Sequence, residues 1–228
     1  MLPINAFREL NIATIALRVV LALIMGGMIG LERGSKNQPA GFRTYMLVCL
    51  GATIVMTTNQ YISDVYGMGD PSRLGAQVIS GIGFLGAGTI IVTKRNQVRG
   101  LTTAAGLWSA ACLGLAIGIG FYEGAILVGA AILLIMTVLQ KVEYFFRERS
   151  TYLRLYTNFV SAESMNQFIE LSNLNNIKVL DMQISKVQEG KEKEIVAILN
   201  IKIRKQCSHS EIIRLLSSIE GLKFIEEM

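Results

Sequence analysis

The residues of this chain that could do chemistry are few, and most sit at the edges of long apolar runs. Arg18 is the exception, because it lies well inside the first run, about residues 12–31. A cation at that depth is costly unless it is paired or its side chain reaches the membrane interface. Two readings are open: Arg18 snorkels to the headgroups, or it pairs with a group such as Asp70 near the end of another helix. Glu32 closes the same run beside Arg33 and shares roughly one helical face with Arg18. Fourteen residues separate Arg18 from Glu32, about 21 Å of helix, which is too far for an ion pair. Asp70-Pro-Ser-Arg73 leads into the third run, and Arg73, Gln77 and Ser80 follow at i, i+4 and i+7. A polar stripe on an intramembrane helix is a candidate functional face, expected here to look into the bundle. Asp70 or Ser72 acting as a helix cap is the simpler alternative. Arg43-Thr44, and Arg99 with Thr102 and Thr103, flank two other loops. Topology-setting charge accounts for those arginines and leaves Glu32 and the threonines without an equally good reason.

Catalysis finds little to work with. There is one histidine, no G-x-S-x-G and no pair of carboxylates at helical spacing, so no nucleophile–base constellation can be assembled and no enzyme is expected. Cys49, Cys112 and Cys207 are far apart, and Cys207 with His209 supplies only two ligands, short of a tetrahedral zinc site. That pair reads as a surface feature near a helix start. No metal site and no cofactor is therefore expected. Gly81-Ile-Gly83-Phe-Leu-Gly86 spells G-x-G-x-x-G but lies inside an apolar run, with no acidic residue before Glu123. It lacks the strand–turn–helix setting and the acidic partner that dinucleotide binding needs. Small residues let membrane helices approach closely. Gly26, Gly27 and Gly30 in the first run, with Gly81, Gly83, Gly86 and Gly88 in the third, are read as packing positions. The third helix is expected to be the central one, unless its glycines mark a broken helix around a site.

The elements that must carry these residues follow from composition. Hydrophobic residues make up 51% of the 228 and charged residues 17%, against roughly 25% charged in ordinary soluble domains. Residues 1–150 hold 12 Lys/Arg and 7 Asp/Glu, while 151–228 hold 10 of each. The net charge of +5 thus belongs to the apolar part, unlike a nucleic-acid-binding surface, and no nucleic acid partner is expected. Runs at about 12–31, 42–62, 74–93, 101–119 and 121–140 approach the roughly 20 residues that cross a bilayer. Lipid offers no partner to a free amide, so all five are expected to be helices. The first run is longer than the roughly 7–15 residues of a signal-peptide core and lacks a small-residue cleavage site.

Nine Lys/Arg lie in or beyond the loops after the first, third and fifth runs, and only Arg8 and Arg73 lie on the other side. That bias puts the N-terminus outside and the C-terminus in the cytoplasm of an inner membrane. After Arg149 the pattern changes to alternation at 152–159, a helix capped by Ser161 to about Asn173, and strands at about 177–188 and 194–205. Ser210 is read as the cap of a second helix to about Ile219, with a last strand at 222–225. The expected organisation is a transmembrane all-α bundle of about five helices over 1–145, then an α+β domain over 150–228 of βαββαβ, ferredoxin-like order.

Arg18-Val-Val-Leu-Ala-Leu-Ile-Met-Gly-Gly-Met-Ile-Gly-Leu-Glu-Arg33, Ala40-Gly-Phe-Arg-Thr44, Asp70-Pro-Ser-Arg73, Gln77-Val-Ile-Ser-Gly-Ile-Gly-Phe-Leu-Gly-Ala-Gly88 and Val98-Arg-Gly-Leu-Thr-Thr-Ala-Ala105 together resemble the MgtC/SapB family of bacterial membrane proteins. The C-terminal region is similar to the ACT-type domain of many members. The resemblance implies a protein needed for growth at low magnesium and, in pathogens, for survival inside macrophages. It further implies either a magnesium transporter or a regulator that acts on a membrane partner such as the ATP synthase. A homo-oligomer built through the glycine-rich face or a sheet edge would fit it. The glycine usual between the first strand and first helix of an ACT domain is replaced by Asn158-Phe-Val-Ser161, which argues against amino-acid binding.

Overall fold

The structure, a computed structural model, describes residues 7–36, 38–67, 70–93, 97–148, 150–189, 192–203 and 208–228. Helix α1 (Ile12–Ser35) opens on a capping box. The Asn11 side chain accepts from the Thr14 amide at 2.9 Å, and the Thr14 hydroxyl accepts from the Asn11 amide at 3.0 Å, so two otherwise free donors are satisfied reciprocally. Helix α2 (Phe42–Tyr66) ends where Gly67 takes a left-handed conformation and returns its amide to the Ser63 carbonyl.

Helix α3 (Arg73–Thr89) is shorter than the sequence pattern suggests. Its 17 residues span about 26 Å, and the run to Thr93 is not helical. Ile90, Ile91, Val92 and Thr93 are consecutive β-branched residues, which lose side-chain freedom in a helix and favour a strand. Strand β1 (Ile91–Val92) accordingly pairs antiparallel with β2 (Val98–Arg99). Gly100 then turns the chain at φ 95 directly against the Thr89 carbonyl, where no β-carbon fits.

Helix α4 (Leu101–Gly118) and helix α5 (Tyr122–Leu134) form the tight hairpin expected around Gly118-Ile-Gly120. Beyond α5 a π-helical turn, Ile135–Leu139, leads to α6 (Gln140–Glu148). The Thr137 hydroxyl donates to the Leu133 carbonyl at 2.7 Å, a local competition that loosens helical bonding. Met136 in this turn is buried against Gly106. Among the described residues three segments are long and apolar enough to cross a membrane: Ile12–Ser35, Leu101–Gly118 and Tyr122–Arg147.

Half of α4 is buried, including Leu107, Ala110, Leu113, Gly114 and Ile117. This corrects the expectation that α3 is central, since α3 buries only Gly75, Ile82 and Gly86. The reason is a ridge of small residues at fourfold spacing, Gly106, Ala110, Gly114 and Gly118, that lets the α4 backbone lie against α2. A β-carbon on Gly118 would stand 2.5 Å from the Thr53 carbonyl oxygen, and one on Gly114 would collide with the Cys49 carbonyl. Thr53 and Thr57 donate across this contact to the Gly114 and Gly118 carbonyls at 3.0 and 3.2 Å.

The chain divides into two compact units, 1–140 and 141–228. In the second, β3 (Tyr152–Phe159), β4 (Lys178–Glu189), β5 (Glu192–Lys202) and β6 (Leu222–Glu227) form one antiparallel sheet in the order β4-β5-β3-β6. Alternate residues Leu153, Leu155, Thr157 and Phe159 of β3 are buried. Leu153, Leu155 and Phe159 form one core with Phe168 of α7 (Ala162–Leu174) and with Ile212 and Leu216 of α8 (His209–Leu216). Phe159 and Phe168 meet edge to face at 5.5 Å. Ser161 caps α7 as expected. The cap of α8 is Ser208 and not Ser210, because Glu211 stands three residues on and closes a capping box with Ser208. His209 is buried, contrary to the surface reading, with its ring nitrogens 2.8 Å from the Ser150 carbonyl and 3.2 Å from Glu227; Cys207 lies outside the described residues.

The glycine geometry gives a direct contrast. Gly114→Val inserts a methyl-bearing carbon against the α2 backbone, and such overpacking costs about 1–3 kcal/mol or more. At Gly83 an added β-carbon meets nothing within 4 Å. Thermal unfolding in detergent should therefore fall clearly for Gly114→Val and stay within a couple of degrees for Gly83→Val, about the effect of an exposed substitution.

Candidate functional site

Arg18 is completely buried, and the structure supplies neither of the partners its depth suggested. It does not snorkel and does not meet Asp70. Its guanidinium donates through Nη1 to Gln60 Oε1 at 2.8 Å and to the Gly118 carbonyl at 2.7 Å. Nη2 donates to the Arg8 carbonyl at 3.0 Å, and Nε reaches the Tyr122 hydroxyl at 3.3 Å. Gly118 is the last residue of α4, so its carbonyl lacks an intrahelical donor and carries the negative end of the helix dipole. A planar fork of five donors suits four acceptors arriving from different directions.

The same end of the bundle is tied further. The Gln60 amide donates to the Arg8 carbonyl at 3.1 Å, the Tyr122 hydroxyl donates to the Phe7 carbonyl at 3.0 Å, and Arg8 pairs with Glu123 at 2.8 Å. Asp70 is exposed, and its carboxylate accepts from the Ser72 hydroxyl at 2.6 Å and the Ser72 amide at 2.8 Å. Those two bonds hold its carboxyl below the usual carboxylate range. Asn59 fixes the same loop by donating to the Pro71 carbonyl at 2.6 Å.

At the opposite end, Glu32 accepts from Arg33 and pairs with Lys36, and Lys36 also contacts Gln140. Arg33 is buried and Glu32 nearly so. Tyr45, in the first turns of α2, donates its hydroxyl to the Thr103 carbonyl at 3.3 Å. Among the described residues the buried Thr103 hydroxyl has no hydrogen-bond partner. Arg43, Thr44 and Thr102 are exposed, and the Arg99 guanidinium donates to Gln97 Oε1 at 3.2 Å.

Arg73, Gln77 and Ser80 are all exposed on α3. The stripe expected to face the bundle faces away from it. Ala76, Ser80, Gly83 and Ala87 continue along an exposed small-residue face. Of the predicted packing glycines, Gly26 and Gly30 lie against α2, where a β-carbon would stand 2.8 Å from the Tyr45 carbonyl oxygen and 2.7 Å from Phe42 Cα. Gly27 lies against the Phe42 ring, and Gly86 makes ordinary contact with Ala104. At Gly81, Gly83 and Gly88 an added carbon would meet nothing within 4 Å. Gln60, Tyr122 and Tyr45 are central to the two polar clusters, and sequence reading passed over all three. The α4 ridge was readable from its fourfold spacing of small residues; the two tyrosines carry no such signal.

Among the described residues no three of His, Cys, Asp and Glu come together. The arrangement can clamp helix ends by charge and carbonyl, and it can offer a small-residue helix face to something outside the bundle.

The MgtC family model matches residues 19–145. The chain is 33% identical over 216 residues to the putative magnesium transporter YhiD of Escherichia coli K12, covering 92% of this chain and 97% of that protein. It is 31% identical over 219 residues to SapB of Bacillus subtilis, covering 91% and 92% of the two chains. It is 44% identical over 104 residues to MgtC of Brucella abortus, covering 46% and 42%. No solved structure matches the chain.

The Arg18 clamp makes a measurable demand. Arg18→Leu removes the charged donor to Gln60 Oε1 and leaves the Gly118 carbonyl with the Thr57 hydroxyl alone, and each hydrogen bond to a charged group is worth about 1.5–3 kcal/mol. Unfolding in detergent should begin several degrees lower, with Gln60→Ala losing less. An unchanged midpoint for Arg18→Leu would show that the clamp carries no stability.

Proposed function

The chain belongs to the MgtC family, and from that premise we propose that it is a multi-pass inner-membrane regulator of magnesium and ion homeostasis. It supports adaptation to low magnesium through a membrane partner such as the ATP synthase, with virulence in pathogens as the setting the family suggests. Five helices, α1 to α5, cross the membrane, with the N-terminus outside. Residues 150–228 form a cytoplasmic domain, and the strand order β4-β5-β3-β6 supports reading it as ferredoxin-like and ACT-type.

The observation that carries the regulator reading is the outward face of α3. Arg73, Gln77 and Ser80, with Ala76, Gly83 and Ala87, are exposed and make no path through the bundle. Small residues are what close helix–helix contact in lipid requires. A homo-oligomer through this face belongs to the same reading.

A second reading, a magnesium transporter in its own right, is favoured by the name of the Escherichia coli relative. A hard divalent cation takes oxygen ligands, carboxylates foremost. Here Glu32 is held by Arg33 and Lys36, Glu123 by Arg8, and Asp70 by Ser72. Those engagements favour regulation over transport.

The deciding experiment is magnesium flux into proteoliposomes holding the full chain, beside Asp70→Ala and Glu32→Ala. Flux no greater than in empty liposomes is the expected result. Growth of a strain deprived of its own family member at low magnesium should be restored by the wild type and by Asp70→Ala. Gly83→Leu should fail while still folding. Flux that vanishes with either carboxylate would make the protein a transporter and overturn the proposal.

A further inference from the structure

Between α2 and α3 runs a groove of about 490 Å³, within the roughly 300–1,000 Å³ of small-molecule sites. Its walls are Leu47 and Gly51 of α2 and Val78, Gly81 and Leu85 of α3, and Ala111 of α4 lies beneath. Among the described residues every lining residue is apolar or glycine except two, Arg43 and Thr44, and both stand at one end. Among the described residues neither has a hydrogen-bond or ion-pair partner, and both are exposed.

We propose that this groove seats one acyl chain of an anionic phospholipid whose headgroup phosphate is held by Arg43 and Thr44. Charge and polarity are complementary along the whole length: a cation and a hydroxyl at the mouth, and no polar side chain below them. The guanidinium fork matches two phosphate oxygens, and the Thr44 hydroxyl can donate to a third.

The axial register fits a lipid. From Arg43 to Gly51 is eight residues, about 12 Å of helix. One leaflet of hydrocarbon is about 15 Å deep, half of a roughly 30 Å core. A chain anchored at Arg43 therefore runs through most of one leaflet and stops. The lining ends there too, at Gly51 on α2 and Val78 on α3, with Ala52, Ile82 and Ala111 packed as a buried cluster beneath; farther along, a β-carbon added to Gly75 would stand 3.5 Å from Met56 Sδ. A partner helix about 10–12 Å across would need a seat along the full length of α2 and α3, and the two helices meet each other before it could have one.

The groove exists because side chains are missing. A β-carbon on Gly51 or on Gly81 meets nothing within 4 Å. Either position can therefore be filled without disturbing α4 or the α1–α2 contact. This inference stands apart from the regulator reading, whose α3 face (Ala76, Ser80, Gly83, Ala87) is a different side of the helix.

Native mass spectrometry of the full chain in mild detergent, incubated with phosphatidylglycerol or phosphatidylcholine, tests it. The wild type should retain one phosphatidylglycerol. Gly81→Leu should lower that occupancy at least tenfold, and Gly51→Leu, filling the opposite wall, should do the same with an unchanged melting temperature. Arg43→Gln should reduce phosphatidylglycerol binding about fivefold, the worth of one cation near an anionic lipid, and leave phosphatidylcholine binding unaltered. Equal phosphatidylglycerol in the wild type and in both leucine variants would mean annular lipid only and overturn the proposal. So would equal retention of the two lipids by the wild type, or a doubled mass that Gly81→Leu abolishes, which would make the groove a seat for a second copy.

Discussion

A guanidinium buried in an apolar bundle without a carboxylate must find its compensation in neutral groups, and Arg18 finds it in the backbone. The Gly118 and Arg8 carbonyls, Gln60 and the Tyr122 hydroxyl surround it. Each acceptor belongs to a different piece of chain: the end of α4, the segment before α1, the last turns of α2 and the first residue of α5. One side chain thus fixes four segments at a single level. The arrangement is economical for the α4–α5 hairpin, because the carbonyl it uses is one that a helix end leaves free. It explains why the hairpin turn is so short: Gly120, at φ 81, lies beside Arg18 Nη2 where a β-carbon would approach it to 3.1 Å.

From that clamp α4 runs down the middle of the first unit, and its fit against α2 depends on the absence of side chains. Gly114 and Gly118 bring backbone against backbone, Gly106 makes room for the Tyr45 side chain, and the threonine hydroxyls of α2 bond across to α4 carbonyls. Gly26 and Gly30 repeat the device between α1 and α2. In lipid there is no hydrophobic drive to pull helices together, so close van der Waals approach and such hydrogen bonds carry the association. Helix α3 is placed differently. It touches the bundle through Gly75, Ile82 and Gly86 and leaves its remaining small residues outside. That division leaves a fixed α1–α2–α4 core and, beside it, a helix with open faces.

The second unit is built on a different pattern. Its strands alternate and its helices bury one stripe, so one apolar core forms between sheet and helices. The Ser161 cap, the β3 alternation and the hairpin-paired strands follow from local residue types and were legible one element at a time. The α8 cap was misplaced by two residues because two serines compete, and only Ser208 has a glutamate at the spacing that completes the box.

By itself the sequence determined what local physics decides: which runs are apolar and long, where strands alternate, and that Arg18 sits too deep to be ordinary. Hydropathy and periodicity are summed over neighbours, so they survive without the fold. Only the tertiary structure decided which glycines are contacts and which are gaps. A glycine has no side chain to declare its neighbour, and α3 and α4 are alike in composition. The same holds for the partners of Arg18, since carbonyls are present at every residue and leave no mark in a sequence. The turn of the α3 polar stripe away from the bundle was likewise beyond local reading, because a stripe's period says which residues share a face and nothing of where that face looks.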